Sequence, residues 1–450
     1  MNLFSSATQD LPRLDGVESD EAAKTYRKVT WRLIPFLFLC YVVAYLDRTN
    51  IGFAQLQMKQ ALGFSDAVYG LGAGVFFVGY SLFEVPSNLI LTRIGARATL
   101  TRILIPWGLV SIAMVYVSSP AIFYVMRFLL GAFEAGLVPG ALFLLTQWFP
   151  QKRRGGVIAL FMLGMPISGL LGGPLAGWAM ETLQGVFGLA GWQWLFVVEG
   201  IPAVVLGIVC TLLLTDSPAK AKWLSNDERD VIAEGLRPEL ESAVHAKSHN
   251  FLQAVRDPNL YILTAAYFTC ICGVYVVGFW LPTVLKSTGI RDVFSIGLYS
   301  MIPFGASAIG MVLICRHADK RLEGRWHLAI CSVVGAAMLS LIPFVEHSLA
   351  LSLVVLSIGT TAIYVTLPLY WVICSTYFAG TDAMAGSLAL TNSIGLIGGF
   401  VSPIIVGWFK TTTGSLASGL YAMAALLVIG AIVLLTCIPK AVLERRGAAR

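Results

Sequence analysis

Six ionisable side chains fall inside long apolar runs of this 450-residue chain: Asp47, Arg48, Glu84, Arg127, Glu134 and Glu199. A charge at the centre of a bilayer costs about 2.5–3.5 kcal/mol on insertion scales, so each is a functional candidate. Arg48 is the natural anion anchor, because a guanidinium stays charged and grips a carboxylate through two parallel hydrogen bonds. Asp47 and Glu134 are the candidate proton carriers. Burial disfavours an ionised carboxyl and a neighbouring Arg favours it, so an anion that occupies the Arg promotes proton uptake by the acid. Tyr45 lies three residues before Arg48 and shares its helix face. Arg127 and Glu134 are seven apart, which puts them on one stripe about 10 Å apart along a helix axis. Arg127 is therefore a candidate second anion contact. Tyr80 falls midway along its own apolar run, whereas Glu84 and Glu199 lie near the ends of theirs and are expected to make gate or helix-end contacts. All five histidines lie in predicted loops, so no imidazole can substitute for these acids.

The elements that must position these groups follow from composition. Apolar residues make up 57% of the chain and charged residues 12%, against about 45–50% and about 25% in a soluble domain. That leaves too little polar surface for a soluble enzyme, a disulfide scaffold or a disordered chain. A polytopic membrane protein embedded in a lipid bilayer remains. Twelve segments reach the roughly 20 apolar residues a crossing needs. They lie near 33–54, 67–91, 99–118, 121–147, 155–178, 192–215, 258–284, 292–315, 327–345, 349–373, 384–408 and 414–438. The polar stretch Thr215–Asp257 divides six from six, so the expected units are 1–215, a central loop 216–257, and 258–450. A surface helix is expected to start at the cap-like Ser225-Asn226-Asp227-Glu228. The polar N-terminus Met1–Glu21 does not read as a cleaved leader, so the first span is expected to stay as an anchor.

Cations give the orientation. Of 31 Lys and Arg, 25 fall on the side of the termini and central loop, and four (Lys59, Lys286, Arg291, Lys410) fall opposite. Positive residues favour the cytoplasm, so both termini are expected there, in a cell inner membrane. The same loops account for the net charge of +6 without nucleic acid. The eight cysteines show no metal spacing and are expected to be reduced packing residues. Glycine clusters at Gly70–Gly74 and Gly169–Gly173 lie within apolar spans and read as close helix packing, not nucleotide loops. The halves look alike: Gly173-Pro174-Leu175-Ala176-Gly177-Trp178 ends span five, and Ser402-Pro403-Ile404-Ile405-Val406-Gly407-Trp408 ends span eleven. The fold expected is an all-α membrane protein of twelve helices in two pseudo-symmetric six-helix bundles, a parallel repeat about the membrane normal.

Several motifs occur in order along residues 25–440: Tyr45-Leu46-Asp47-Arg48-Thr49-Asn50, Arg93-Ile94-Gly95-Ala96-Arg97, the run from Arg127 to Gly136, Gln147-Trp148-Phe149-Pro150, Gly191 to Phe196 and Asp216 to Leu224. With them the chain resembles the major facilitator superfamily, and within it the anion:cation symporter family, most of all its bacterial hydroxyphenylacetate, tartrate and phthalate permeases. Thr92 stands where the superfamily usually carries an acid. The resemblance implies that the Asp47-Arg48 pair and Glu134 serve substrate and proton, and that Asn392 is a polar substrate contact. It also sets Met165 where sugar-acid members carry Gln, which favours an aromatic or less hydroxylated acid. From the second half, Tyr275, Phe279, Trp280 and Trp371 are candidates to complete the pocket.

The expected function is a proton-coupled symporter that imports a small organic carboxylate by alternating access. It is expected to act as a monomer, with H⁺ as coupling ion and no metal or other cofactor. The alternative is a proton-antiport exporter of drugs or metabolites. A sensor lacks an output domain, and no Ser/His, metal or nucleotide constellation supports an enzyme.

Overall fold

The computed structural model describes residues 20–245, 256–321, 323–378 and 384–438. The outer ends of the expected units, and cations such as Arg13, Lys247, Lys440 and Arg445, lie outside the described residues. Among the described residues the regular elements are all helices.

Span one is α1 (Asp20–Leu62). It starts well before the apolar run, because Asp20 and Glu21 occupy its first turn and Lys24 pairs with Asp20 at 2.9 Å. Spans two and three are two helices that follow each other directly through a tight turn, labelled together α2 (Asp66–Ala113). Its 48 residues would extend about 72 Å if straight, against an apolar core of about 30 Å. The chain turns back at Gly95 (φ 84°, ψ 171°), a conformation open to glycine. The Asp216 carboxylate accepts the Arg97 N–H there at 2.8 Å, and a Cβ on Gly95 would also sit 2.8 Å from it. Two motifs far apart in sequence therefore meet in one turn.

Span four divides into α3 (Pro120–Glu134) and α4 (Leu137–Trp148), span five into α5 (Gln151–Met162) and α6 (Gly164–Thr182), and span six is α7 (Gly191–Leu213). The expected surface helix is α8 (Asn226–His245). Ser225 and Glu228 cap it reciprocally: the Glu228 N–H donates to Ser225 Oγ at 3.1 Å, and the Ser225 N–H to Glu228 Oε2 at 2.9 Å. Lys28 Nζ of α1 donates to Glu228 Oε2 at 2.7 Å, and Trp223 stacks on Trp148 with centroids 5.4 Å apart. The second half consists of α9 (Pro258–Ser287), α10 (Val293–Arg321), α11 (Gly324–Val345), α12 (Leu349–Phe378), α13 (Met384–Gly395) with α14 (Ile397–Thr413), and α15 (Ala417–Cys437). Eleven helical stretches are long and apolar enough to cross a bilayer, and the one folded at Gly95 crosses twice, giving twelve spans.

The halves meet along α6 against α10, α14 against α2, and α9 against α1. The first two seams are pseudo-equivalent. A Cβ on Gly173 would meet the Gly297 carbonyl at 2.5 Å, and one on Gly70 would meet that of Pro403 at 2.3 Å. The repeated Gly-Trp pairs behave alike: Gly177 and Gly407 press on Phe294 and Asp66, while Trp178 and Trp408 face outward. Hydrogen bonds close the same face. Gln55 and Tyr69 both donate to the Phe279 carbonyl, at 3.0 and 3.1 Å, and the Phe294 N–H donates to Glu181 at 3.0 Å. This is the face opposite the described chain ends. All eight cysteines are free.

Candidate functional site

The Arg48 guanidinium forms an ion pair with Glu134 and donates to the Tyr275 hydroxyl at 3.1 Å. Rings of Tyr45, Phe76 and Tyr80 lie 5.6, 5.5 and 5.3 Å from its carbon, within cation–π range. Glu134 reaches this layer because Gly131, one turn earlier, lets α3 lie against α2: a Cβ there would fall 1.9 Å from the Phe76 carbonyl. The Arg48 side chain keeps 11% exposure while that of Glu134 keeps 1%.

Asp47 points elsewhere. Successive helical residues diverge by about 100°, and the Asp47 carboxylate turns into the first bundle. It accepts from Trp107 Nε1 at 2.9 Å, Ser111 Oγ at 2.6 Å and Asn50 Nδ2 at 3.4 Å. Asn50 also donates to Glu199 at 2.6 Å. Glu199, expected as a helix-end contact, is thus one side chain away from Asp47. Trp107 and Ser111 carry no signal in the sequence that marks them as partners of Asp47. Only Asn50 carried a signal, as the end of the Tyr45–Asn50 motif, three residues after Asp47.

Arg127 is fully enclosed. Its Nε donates to the Gly72 carbonyl at 3.3 Å, and its guanidinium packs 5.0 Å from the Phe76 ring that Arg48 also faces. In this structure Arg127 braces α3 on α2 through its Nε, and its two terminal guanidinium nitrogens are buried without a hydrogen-bond partner.

Tyr275 of α9 joins the two halves, with its ring edge-on to Phe77 at 4.5 Å and stacked on Phe279 at 5.5 Å. Trp280 departs from expectation. It packs on Tyr69 at 5.2 Å and lies under Lys410, in the closed seam. Trp371 packs on Tyr267 at 5.1 Å. Tyr267 donates to Asn392, and Asn392 donates to Glu84 at 3.3 Å, a second polar link between halves. Met165 is half-buried on α6, one turn after Phe161, whose ring stacks on Tyr41 at 4.7 Å. The described residues thus bring Tyr45, Arg48, Tyr80, Glu134 and Tyr275 together. Trp371 and Asn392 lie in a neighbouring aromatic cluster.

The Major Facilitator Superfamily profile matches residues 37–403. The chain belongs to the major facilitator superfamily. It is a multi-pass membrane transporter and not an enzyme. It is 44% identical over 93% of its length to a putative tartrate transporter of Agrobacterium vitis, covering 96% of that protein. It is 40% identical over 93% of its length to a quinolone resistance transporter of Acinetobacter baumannii, covering 96% of that protein. Among solved structures it is similar in fold to the inward-open xylose transporter XylE from E. coli, with TM-score 0.73, 14% identity, and 93% and 99% of the two chains covered.

Proposed function

We propose that this superfamily member is a proton-coupled symporter that carries a small organic carboxylate into the cell, with both termini cytoplasmic and the monomer as working unit. The observation that carries the reading is the pairing of Arg48 with Glu134 beneath an aromatic wall. An arriving carboxylate competes with Glu134 for the same guanidinium. Glu134, displaced and left without its counter-charge in an apolar surround, takes a proton. Anion and H⁺ are then bound together, and Tyr275 lets the second bundle sense whether Arg48 is occupied. The Asp47–Asn50–Glu199 chain offers a second proton store inside the first bundle.

For the cargo, the similarity to a protein named as a tartrate transporter supports a tartrate-like acid. Met165 and the surrounding rings also suit an aromatic acid, with a sugar acid third. The test is uptake into proteoliposomes under an imposed proton gradient, with tartrate, aromatic acids and sugar acids run side by side. Accumulation of at least one carboxylate, collapsed by a protonophore, is expected. Movement of only neutral or cationic compounds would overturn the reading.

The relative named as a quinolone resistance transporter favours a second reading, proton-antiport export. Proton-driven quinolone accumulation in inside-out vesicles, indifferent to added carboxylates, would establish it.

A further inference from the structure

Four cations lie on the face opposite the described chain ends, and two of them, Lys59 and Lys410, meet one acid in the closed seam with a third, Lys286, nearby. Asp66, at the start of α2, forms an ion pair with Lys59 of α1. Across the seam, Lys410 Nζ of α14 lies 3.3 Å from the same Asp66 oxygen. Lys286 of α9 donates across the seam to the Leu56 carbonyl at 3.2 Å. Lys59 and Lys286 both repel Lys410. Lys410 also sits 5.3 Å over the Trp280 ring. Nearby, the Ala67 N–H donates to Thr411 Oγ1 at 2.8 Å. Two ammoniums share the Asp66 carboxylate and a third stands beside them, so the cluster is net positive, whereas the interior of the second bundle shows no buried cation among the described residues.

The seam divides this cluster unequally. Lys59 and Asp66 belong to the first bundle and compensate each other. Lys286 and Lys410 belong to the second. When the bundles part on this face, Lys410 leaves Asp66, Lys286 leaves the Leu56 carbonyl, and both line the opening beside Trp280. An ammonium is a point charge without the fork of a guanidinium, so it attracts anions without reading their shape. Such a wall concentrates anions ahead of a recognition group and is weakened by salt.

We propose that Lys286 and Lys410, with Lys59 beside them, form an anion-capture site in the outer mouth, which gathers carboxylate-class anions before Arg48 selects among them. This rests on the reading of that face as external and of the cargo as an anion. The Asp66–Lys410 contact doubles as the latch that hides the site while the outer face is closed.

The experiment reads local potential directly. Ala67→Cys is introduced, and its modification rates by a sulfonate-bearing and a trimethylammonium-bearing thiosulfonate are compared in membranes, with the parent protein as blank for native thiols. The anionic reagent is expected to react at least about tenfold faster at low salt. The ratio should fall towards one at high salt and in Lys286→Gln/Lys410→Gln. Lys286→Arg/Lys410→Arg should restore it, which ties the effect to charge and not to folding. A ratio near one at low salt, or one unchanged by the Gln pair, overturns the site. The readout needs no transport. A preserved ratio together with no carboxylate uptake would refute the transport reading and leave the site standing.

Discussion

The two bundles of this transporter divide their chemistry unevenly. Among the described residues, every buried ionisable acid or base of the helix interior (Asp47, Arg48, Glu84, Arg127, Glu134, Glu199) lies in the first six spans. The second half faces them with Tyr267, Tyr275, Phe279, Trp371 and Asn392. Breaking a buried ion pair by removing one partner costs about 3–5 kcal/mol, whereas a neutral hydrogen bond contributes about 0.5–1.5 kcal/mol. Because the Arg48–Glu134 pair lies inside one bundle, a movement of the halves against each other would not separate it. Across the seam lie rings, glycine faces, hydrogen bonds such as those of Tyr275, Asn392, Gln55 and Tyr69, and the partly exposed Lys410–Asp66 ion pair. The buried charges are held on one side and touched from the other through Tyr275 and Asn392.

The largest effect is expected from removing the charge. Arg48→Ala should reduce carboxylate uptake by at least about a hundredfold, and it leaves Glu134 unpaired, so thermal stability should drop as well. Arg48→Lys should also lose more than about tenfold, since an ammonium cannot grip a carboxylate in parallel bonds. If Arg48→Lys transports like the parent, the anchor has been misassigned. Next comes Asp47→Asn, which keeps a side-chain carbonyl for Trp107 and Ser111 but carries no titratable proton. Gradient-driven uptake should fall about tenfold with exchange retained, measured by the two assays in parallel. From the second half, Tyr275→Phe removes one hydrogen bond to a charged group, about 1.5–3 kcal/mol. Uptake should fall roughly tenfold or more, with a smaller drop in thermal stability than in Arg48→Ala. An effect of Tyr275→Phe as large as that of Arg48→Ala would erase the contrast between the bundles.

The smallest effect is expected outside the membrane. The hydrogen bond from Lys28 holds the Glu228 carboxyl below its ordinary value. A carboxyl lowered on folding contributes stability above its unfolded value, and that contribution is lost as pH falls through the folded one. Proteolysis of the α8 region should therefore be slow at neutral pH and accelerate below about pH 4. Glu228→Gln should show the faster rate at all pH values, with uptake little changed.

Much of this division was legible in the sequence. Spans announce themselves by length and hydropathy, and intramembrane charge by its cost, so the twelve crossings and the importance of Arg48 and Glu134 could be read from residue types, while their pairing needed the packing of α3 on α2. The destinations of neighbouring side chains could not. Asp47 and Arg48 look like one functional unit, yet a single helical step sends one to Trp107 and Ser111 and the other to Tyr275. Trp107 in an apolar span is indistinguishable from packing, and Ser111 from a harmless small polar residue. Glu199 looked peripheral because only tertiary packing brings Asn50 to it. Trp280 and Tyr275 lie on one helix, but only the meeting of the bundles decides which of them reaches Arg48. Gly95 was visible as part of a motif, while its role in turning α2 needed the Asp216 contact.

The most direct test of a shared place for anion and proton is Glu134→Gln in proteoliposomes, assayed both for accumulation driven by a proton gradient and for counterflow exchange without one. The variant should exchange a transported carboxylate at a rate near that of the parent while failing to accumulate it against a gradient. Accumulation equal to that of the parent would contradict the assignment of Glu134 as the group that takes the proton when the anion takes Arg48.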